Sequence, residues 1–426
     1  MARQPLIATL ALVAMALAAC GGEGDAIKLR MTSWQTPEEN ALDLPAVRAF
    51  ERAHPGVRVV SEPVSNQGEY REKVITSVVS GSPPDVLLLD GIDVPAFVDT
   101  EVLLDLAPFV RRVGLDLNMF YPNVLAMFSR GTRTYALPKG FSPMVMYYNR
   151  AMFDRARVPY PVDGWTQEEF LRAARALTRD TDGDGRPNEW GAVVLRPFYA
   201  WQAWIWSGGG DVLAGGGTRA TGALDAPAAD SVLSFLTNLV RIGVAPQPNA
   251  FRAVSGNETR LFYSGKLALL PSGHWLIPNI KQQLAVGNLR LGVTSTPRAP
   301  GALPSTPLFA SGWAVPRNTA HRKLAVELAA ALSGPEAQRI RLEAGLELST
   351  MPAVQEAFAA RDTLGLEPAF LRQVPFGRPP WGATVARYRE VEALLPEIID
   401  RVIIKGEAVH AVTADVARRI DAVLAR

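Results

Sequence analysis

Apolar positions recur with two periods along the chain, one suited to strands and one to helices. Ile27 to Met31 alternates and predicts a strand, and Val57 to Val60 predicts another after a helix that stops at His54, before Pro55-Gly56. Val86-Leu87-Leu88-Leu89 is a continuous apolar run of strand length, entered through Asp85 after Pro83-Pro84, where a short acidic residue caps or turns the backbone. Such runs belong to parallel sheets covered on both faces, so strands alternating with helices predict a doubly wound α/β lobe. Ligands on these sheets bind just beyond the carboxyl ends of strands, a rule that singles out Trp34 after the first strand and Asp90 after the third. The polar loop Ser65 to Tyr70 leads into a helix, and the amide of Gln67 is a candidate ligand contact there.

In the middle of the chain, Tyr135 to Phe153 carries breakers at Pro138, Gly140 and Pro143 and then the apolar run Met144 to Tyr148. The pattern predicts an irregular crossover entering a buried strand, with Asn149 as the N-cap of the helix that follows. From Thr166 a helix is well specified: Thr166 with Glu169 forms a capping box, and Phe170, Ala173, Ala174 and Leu177 share one face. Tyr199 to Gly210 is the most aromatic stretch. Flat aromatic faces stack on the CH faces of sugar rings, which makes Trp201 and Trp206 candidates. Trp201 and Trp204 share a helical face, so core packing accounts for at least one of them, and Trp206 beside the glycine run is assigned to a cleft.

Further strand and helix signals complete the chain. Leu267 to Leu270 predicts a strand with Ser272-Gly273-His274-Trp275 at its end; Pro297 to Pro307 predicts a surface connection; and a helix with Leu324, Leu328 and Leu332 on one face stops at Ser333-Gly334-Pro335. His274 is a secondary candidate, since a lone histidine is more often a hydrogen-bonded structural residue.

One loop has different chemistry. Asp180, Asp182 and Asp184 occupy positions 1, 3 and 5 of a run with Gly185 at position 6, the order in which an EF-hand-type loop wraps a hard cation. Gly191 stands where a bidentate Glu is expected, so Glu189 is the substitute, with the Arg186 carbonyl and Asn188 completing a calcium shell. The competing reading is a hydrated acidic turn without metal. Three carboxylates so close repel without a cation, which favours structural calcium.

At 426 residues the chain is too long for one ordinary core, and two lobes are expected. Basic residues number 44 and acidic 42, and without the leader's Arg3 they number 43 and 42, so no polybasic surface for nucleic acid is implied. The apolar run Leu6 to Ala19 is too short to span a membrane and reads as a signal peptide over 1–19. The sole cysteine, Cys20, closes Leu17-Ala18-Ala19-Cys20, which resembles a bacterial lipobox and implies a lipid anchor at its thiol followed by a flexible tether over 20–26. No intrachain disulfide is possible. There is no G-x-S-x-G elbow, P-loop, G-x-G-x-x-G after a strand or H-E-x-x-H, and the four histidines are scattered. A pair of carboxylates placed for glycoside hydrolysis is invisible in sequence.

The order of these segments resembles that of the substrate-binding proteins of bacterial ABC sugar importers, the maltose-binding-like members of extracellular solute-binding family 1. The resemblance is carried by Leu137-Pro138 through Tyr147-Tyr148-Asn149, Ser272 to Trp275, Ser311 to Pro316, and Arg378-Pro379-Pro380-Trp381. The resemblance implies a two-lobe periplasmic-binding fold of type II, with lobe one over 27–137 plus 288–335 and lobe two over 138–287 plus 336–426. It adds Phe141, Trp275, Trp313 and Arg378 to the candidate ligand contacts. It also implies a saccharide or polyol ligand, an ABC permease as partner, a monomer, and an envelope location outside the cytoplasmic membrane. Some members carry a calcium loop of the Asp180 type. A phosphorylated polyol stays open if Arg378 faces the cleft. An envelope-tethered glycoside-active enzyme and a calcium-stabilised structural lipoprotein are the alternatives.

Overall fold

The computed structural model describes residues 26–248, 257–285, 289–362 and 364–426. The leader, Cys20 and the tether up to residue 25 lie outside them. Three predicted strands appear as β1 (Ile27–Thr32), β2 (Val57–Ser61) and β3 (Val86–Asp90), with β1 paired in parallel to both of the others. Leu29 and Met31 of β1 and Val86 to Leu89 of β3 are buried, as expected of a sheet covered by helices. Helices α1 (Pro37–Ala41), α2 (Leu44–Ala53) and α3 (Gln67–Val79) fill the crossovers. Helix α1 starts with a capping box between Thr36 and Glu39, and α3 with Asn66 accepting from the Glu69 amide.

The expected irregular crossover is instead β4 (Ala136–Pro143), a strand buried along its whole length. Two prolines are accommodated because β4 is paired along its length on one edge only, its other edge being bridged at Phe141 to Leu348 between the two prolines, and because the register of the long pairing shifts between Ser311 and Gly312. The next strand, β5 (Val145–Asn149), belongs to a second sheet between β6 (Leu269–Ser272) and β7 (Leu291–Thr294), antiparallel to both. The chain returns to the first sheet with β8 (Thr306–Ala314), which lies antiparallel to β3 on one side and β4 on the other. Asn149 caps its helix by accepting from the Met152 amide. The capping box at Thr166 starts α4 (Gln167–Leu177), whose Phe170, Ala173, Ala174 and Leu177 are buried as the pattern requires. In α5 (Gln202–Ser207) every residue is buried.

These pairings redistribute the segments expected for each lobe. Strand β4 keeps the chain in the first sheet to Pro143 rather than 137, and β7 puts residues 291–294 in the second sheet rather than with 288–335. Helix α6 (Arg322–Ser333) carries the predicted apolar face, and α7 (Pro335–Ala344) starts at the proline that ends it. Helix α7 stays with the first lobe rather than joining 336–426, because its Arg341 is ion-paired to Asp43 beside α2. The C-terminal helices, among them α8 (Tyr388–Leu394), pack their Tyr388 and Val391 into the second-lobe core with Phe170 and Trp204. A first-lobe core gathers Leu29, Val86, Trp313 and Leu328, and a further cluster containing Phe141, Val145 and Tyr147 runs beneath the β4-to-β5 passage.

Candidate functional site

A cleft of about 410 Å³ lies between the two sheets, within the range of roughly 300–1,000 Å³ usual for small-molecule sites. On the first-lobe side it begins just beyond β1 with Trp34, whose ring stands edge-on to Tyr70 at 5.5 Å. Tyr70 is itself held, since its buried hydroxyl donates to the Leu88 carbonyl at 2.7 Å. Asp90, at the end of β3, accepts from the Gln67 amide at 2.9 Å and from the Ile92 backbone at 3.2 Å. Both strand ends therefore open on the ligand space, as the rule for α/β sheets requires.

The floor is made by β4 and β8 through Lys139 to Ser142 and Phe309 to Ser311. Glycine is needed at position 140, because a side chain there would overlap the Glu347 carboxyl group. That carboxylate is bound by Lys139 Nζ at 2.5 Å and by Arg341 Nε at 3.2 Å. On the second-lobe side Trp275 stands edge-on to Tyr199 at 6.3 Å and to Phe309 at 6.1 Å, so three rings make one apolar wall. Trp275 is 39 % exposed although it is a large aromatic, which leaves its face available to a ligand.

The two lobes are also tied at the edge of the cleft. Arg389 on α8 grips Asp93 with two bonds of 2.8 and 2.7 Å and reaches Asp90 at 3.4 Å, while Arg71 holds Asp93 from its own lobe at 3.0 Å. Burial works against the Arg389 charge, but the facing carboxylates outweigh it and raise its pKa further above its ordinary value. Burial likewise pushes the Asp90 carboxyl up to about 6, the nearby Arg389 charge opposing the rise and Asp93 adding to it.

A family model for bacterial extracellular solute-binding proteins matches residues 33–339. The chain belongs to that family. A binding protein of Brucella abortus is 25 % identical over 300 residues, covering 69 % of this chain and 68 % of the relative. The galactooligosaccharide-binding protein of Bacillus subtilis is 23 % identical over 369 residues and covers 82 % of each. Among solved structures, an ABC substrate-binding protein of Listeria monocytogenes in complex with cycloalternan superposes with a TM-score of 0.83 at 20 % identity, covering 94 % of this chain and 100 % of that one. The family is one of transport binding proteins rather than enzymes, and it places this solute-binding protein in the envelope or periplasm.

Five of the ten candidate contacts meet in the cleft of this solute-binding protein: Trp34, Gln67, Asp90, Phe141 and Trp275. The other five do not. Trp201 is buried against Phe198 at 4.6 Å, and Trp313 is buried in the first-lobe core on β8. His274 is fully buried, with its Nε2 2.7 Å from Glu367 and its backbone amide donating to Ser142. Trp206 donates from its indole to Asp211 at 2.9 Å and lies under the Arg378 guanidinium, 3.7 Å from the ring centroid. Arg378 in turn donates to the same Asp211 at 2.8 Å, so cation and ring stabilise each other away from the cleft. Glu39, Lys139, Tyr199, Phe309, Glu347 and Arg389 were not anticipated. Glu39 was open to inference from the Thr36 capping box next to Trp34, and Tyr199 from the aromatic run, whereas Lys139 and Glu347 meet across 208 residues.

The acidic loop brings together carboxylate oxygens of Asp180, Asp182 and Asp184 within 4.8 Å of one another. Backbone amides of Gly185 and Gly183 donate to Asp180 and hold its carboxyl below the usual range. The side chains of the two other expected ligands are engaged elsewhere: Glu189 is paired with Arg155 at 2.6 Å, and Asn188 accepts from Thr181 at 2.8 Å. The candidate donor set at this loop therefore narrows to three aspartates, with main-chain oxygens such as that of Arg186 to complete it.

Proposed function

We propose that this solute-binding protein captures a mono- or oligosaccharide in the interlobe cleft, closes on it by a hinge motion at the β4-to-β5 and β7-to-β8 passages, and presents the closed form to an ABC permease. One observation carries the reading. Tyr199, Trp275 and Phe309 form an apolar wall on one side of a cleft whose other side offers Trp34 together with the polar groups of Gln67, Asp90 and Glu39. Sugar rings need both, since their CH faces stack on indole while their hydroxyls need fixed hydrogen-bond partners. The names of the Bacillus and Listeria relatives, one a galactooligosaccharide binder and one bound to cycloalternan, support the same class. A saccharide panel screened by thermal shift should give a binder that raises Tm by mass action. Mass spectrometry of the recovered ligand should return it unchanged; cleaved sugar would favour a glycoside-active enzyme, and no binder across the panel would favour a structural lipoprotein.

Anchoring at Cys20 is part of the same proposal and rests on the lipobox and the short apolar leader. Among the described residues no helix is long and apolar enough to cross a membrane. Protein made in its native host should partition with membranes, and Cys20→Ser should release it into the soluble fraction. Soluble wild-type protein with an intact leader would overturn the anchor. A monomer is the expected state, checked by light scattering.

Calcium bound by Asp180, Asp182 and Asp184 is proposed as a structural brace for the second lobe. Neighbouring carboxylates repel, and a hard cation relieves that repulsion only where the folded loop holds the oxygens together. Calcium at 100 times its Kd should stabilise by about 2.7 kcal/mol, and chelation should reverse the rise in Tm. Asp182→Ala with Asp184→Ala should abolish the response; identical melting with and without calcium would leave a hydrated turn.

A further inference from the structure

The charged groups of the cleft are unevenly matched. Two cations line it, Lys139 and Arg389, against four carboxylates, Glu39, Asp90, Glu347 and Glu392. Both cations are already committed: Lys139 to Glu347, and Arg389 to Asp93 and, at 2.9 Å, to Glu392. The charges immediately behind the lining balance, with Arg341 on Asp43 and Arg71 on Asp93. Lys281, beyond the lining, donates to the Glu343 carbonyl at 2.8 Å. Arg378, the cation that would have suited a phosphate, is held by Asp211 over Trp206 outside the cleft.

Several backbone donors near the cleft are committed in the same way. The start of α1 is closed by Thr36 and Glu39, the start of α3 by Asn66, and the His274 amide by Ser142 Oγ. The Ile92 amide bonds Asp90, and the Gly91 amide bonds the Ala310 carbonyl. Among the buried side-chain polar atoms of the lining residues, the one left without a partner is an acceptor. Gln35 is 2 % exposed, its amide nitrogen donates to the Glu39 carbonyl, and its Oε1 is buried with no hydrogen-bond partner. A buried acceptor left unmatched calls for an O–H or N–H donor from whatever fills the space.

We propose that the cleft selects ligands by charge as well as by shape: it takes saccharides that are uncharged or carry a protonated amine, and it rejects phosphorylated and carboxylated ones. The inference rests on the saccharide reading above and names the class that this site admits. An anion entering here would meet two surplus carboxylates and no uncommitted cation among the lining residues, and like-charge juxtaposition in a desolvated site is strongly unfavourable. A hydroxyl or ammonium group would instead find the Gln35 oxygen and the carboxylate of Glu39.

The test uses lactose, maltose, cellobiose and trehalose, each compared with its own 6-phosphate, 6-carboxyl and 6-amino-6-deoxy derivative, with affinity read by isothermal titration on the mature protein. For whichever parent binds, the phosphate and carboxyl forms should bind at least about 100-fold more weakly. The amino form, similar in size to the parent, should stay within about tenfold, and Glu39→Gln should lower its affinity about threefold to fivefold more than that of the parent. A phosphate or carboxyl form binding as tightly as its parent would overturn the charge selection and leave the saccharide reading standing. Equal loss of the amino form would assign rejection to shape and overturn it too. Failure of every sugar, charged or not, would overturn the saccharide reading and this inference with it.

Discussion

Replacing Arg341 with methionine is expected to destabilise the first lobe by about 3–5 kcal/mol, the usual result of removing one partner from a buried ion pair. Arg341 and Asp43 have no exposed side-chain surface, and their charges meet at 2.6 Å. The same guanidinium donates to the Leu332 carbonyl at 2.8 Å and the Lys139 carbonyl at 3.3 Å, and faces Glu347 at 3.2 Å. One side chain thereby joins the start of α2, the end of α6, strand β4 and a carboxylate of the cleft. Methionine fills much of the volume but leaves the Asp43 carboxylate buried without its counter-ion. The unfolding midpoint should fall by on the order of 10 °C. Arg341→Met combined with Asp43→Leu should recover part of the loss, because replacing both charges removes the unpaired one. A loss below about 1 kcal/mol for the single variant by chemical denaturation would show that the network is not the tie it is described as.

Trp275→Ala should weaken saccharide binding by about 2–3 kcal/mol, roughly 30- to 150-fold, the range of an aromatic anchor in a binding site. The indole lies over Gly273, where any side chain would overlap it, and it meets Tyr199 and Phe309 only by their edges. Its face is thus held in place but not covered. Because the residue is 39 % exposed, the unliganded melting temperature should change little. Trp206→Phe is the contrasting variant: its ring is covered by Arg378, so affinity should be unaffected even if stability falls. Titration of both variants with the same sugar separates the two roles, and a larger loss for Trp206→Phe would overturn the assignment of the wall.

The element types were legible because their causes are local. Alternation marked β1, an unbroken apolar run marked β3, and a threonine three residues before a glutamate marked the start of α4. Trp34, Asp90 and Trp275 were legible for a related reason, since each sits at or within a few residues beyond the end of a strand that opens on the cleft. Pro138 and Pro143 misled for a reason outside their own segment: whether a proline breaks a strand depends on how the strand's edges are paired, and β4 is paired along its length on one edge only.

The sequence by itself therefore determined the succession of strands and helices, the family and the strand-end positions of Trp34, Asp90 and Trp275, because periodicity, caps and order are properties of neighbouring residues. Only the tertiary structure decided which aromatic rings face the cleft and which charges are already taken. Trp206 and Arg378 each look suited to a ligand until the fold stacks one on the other and bonds both to Asp211. Lys139 meets Glu347 across 208 residues, and Arg389 reaches Asp90 across 299. No local pattern encodes such pairings, because they are fixed by how two lobes and their returning segments pack.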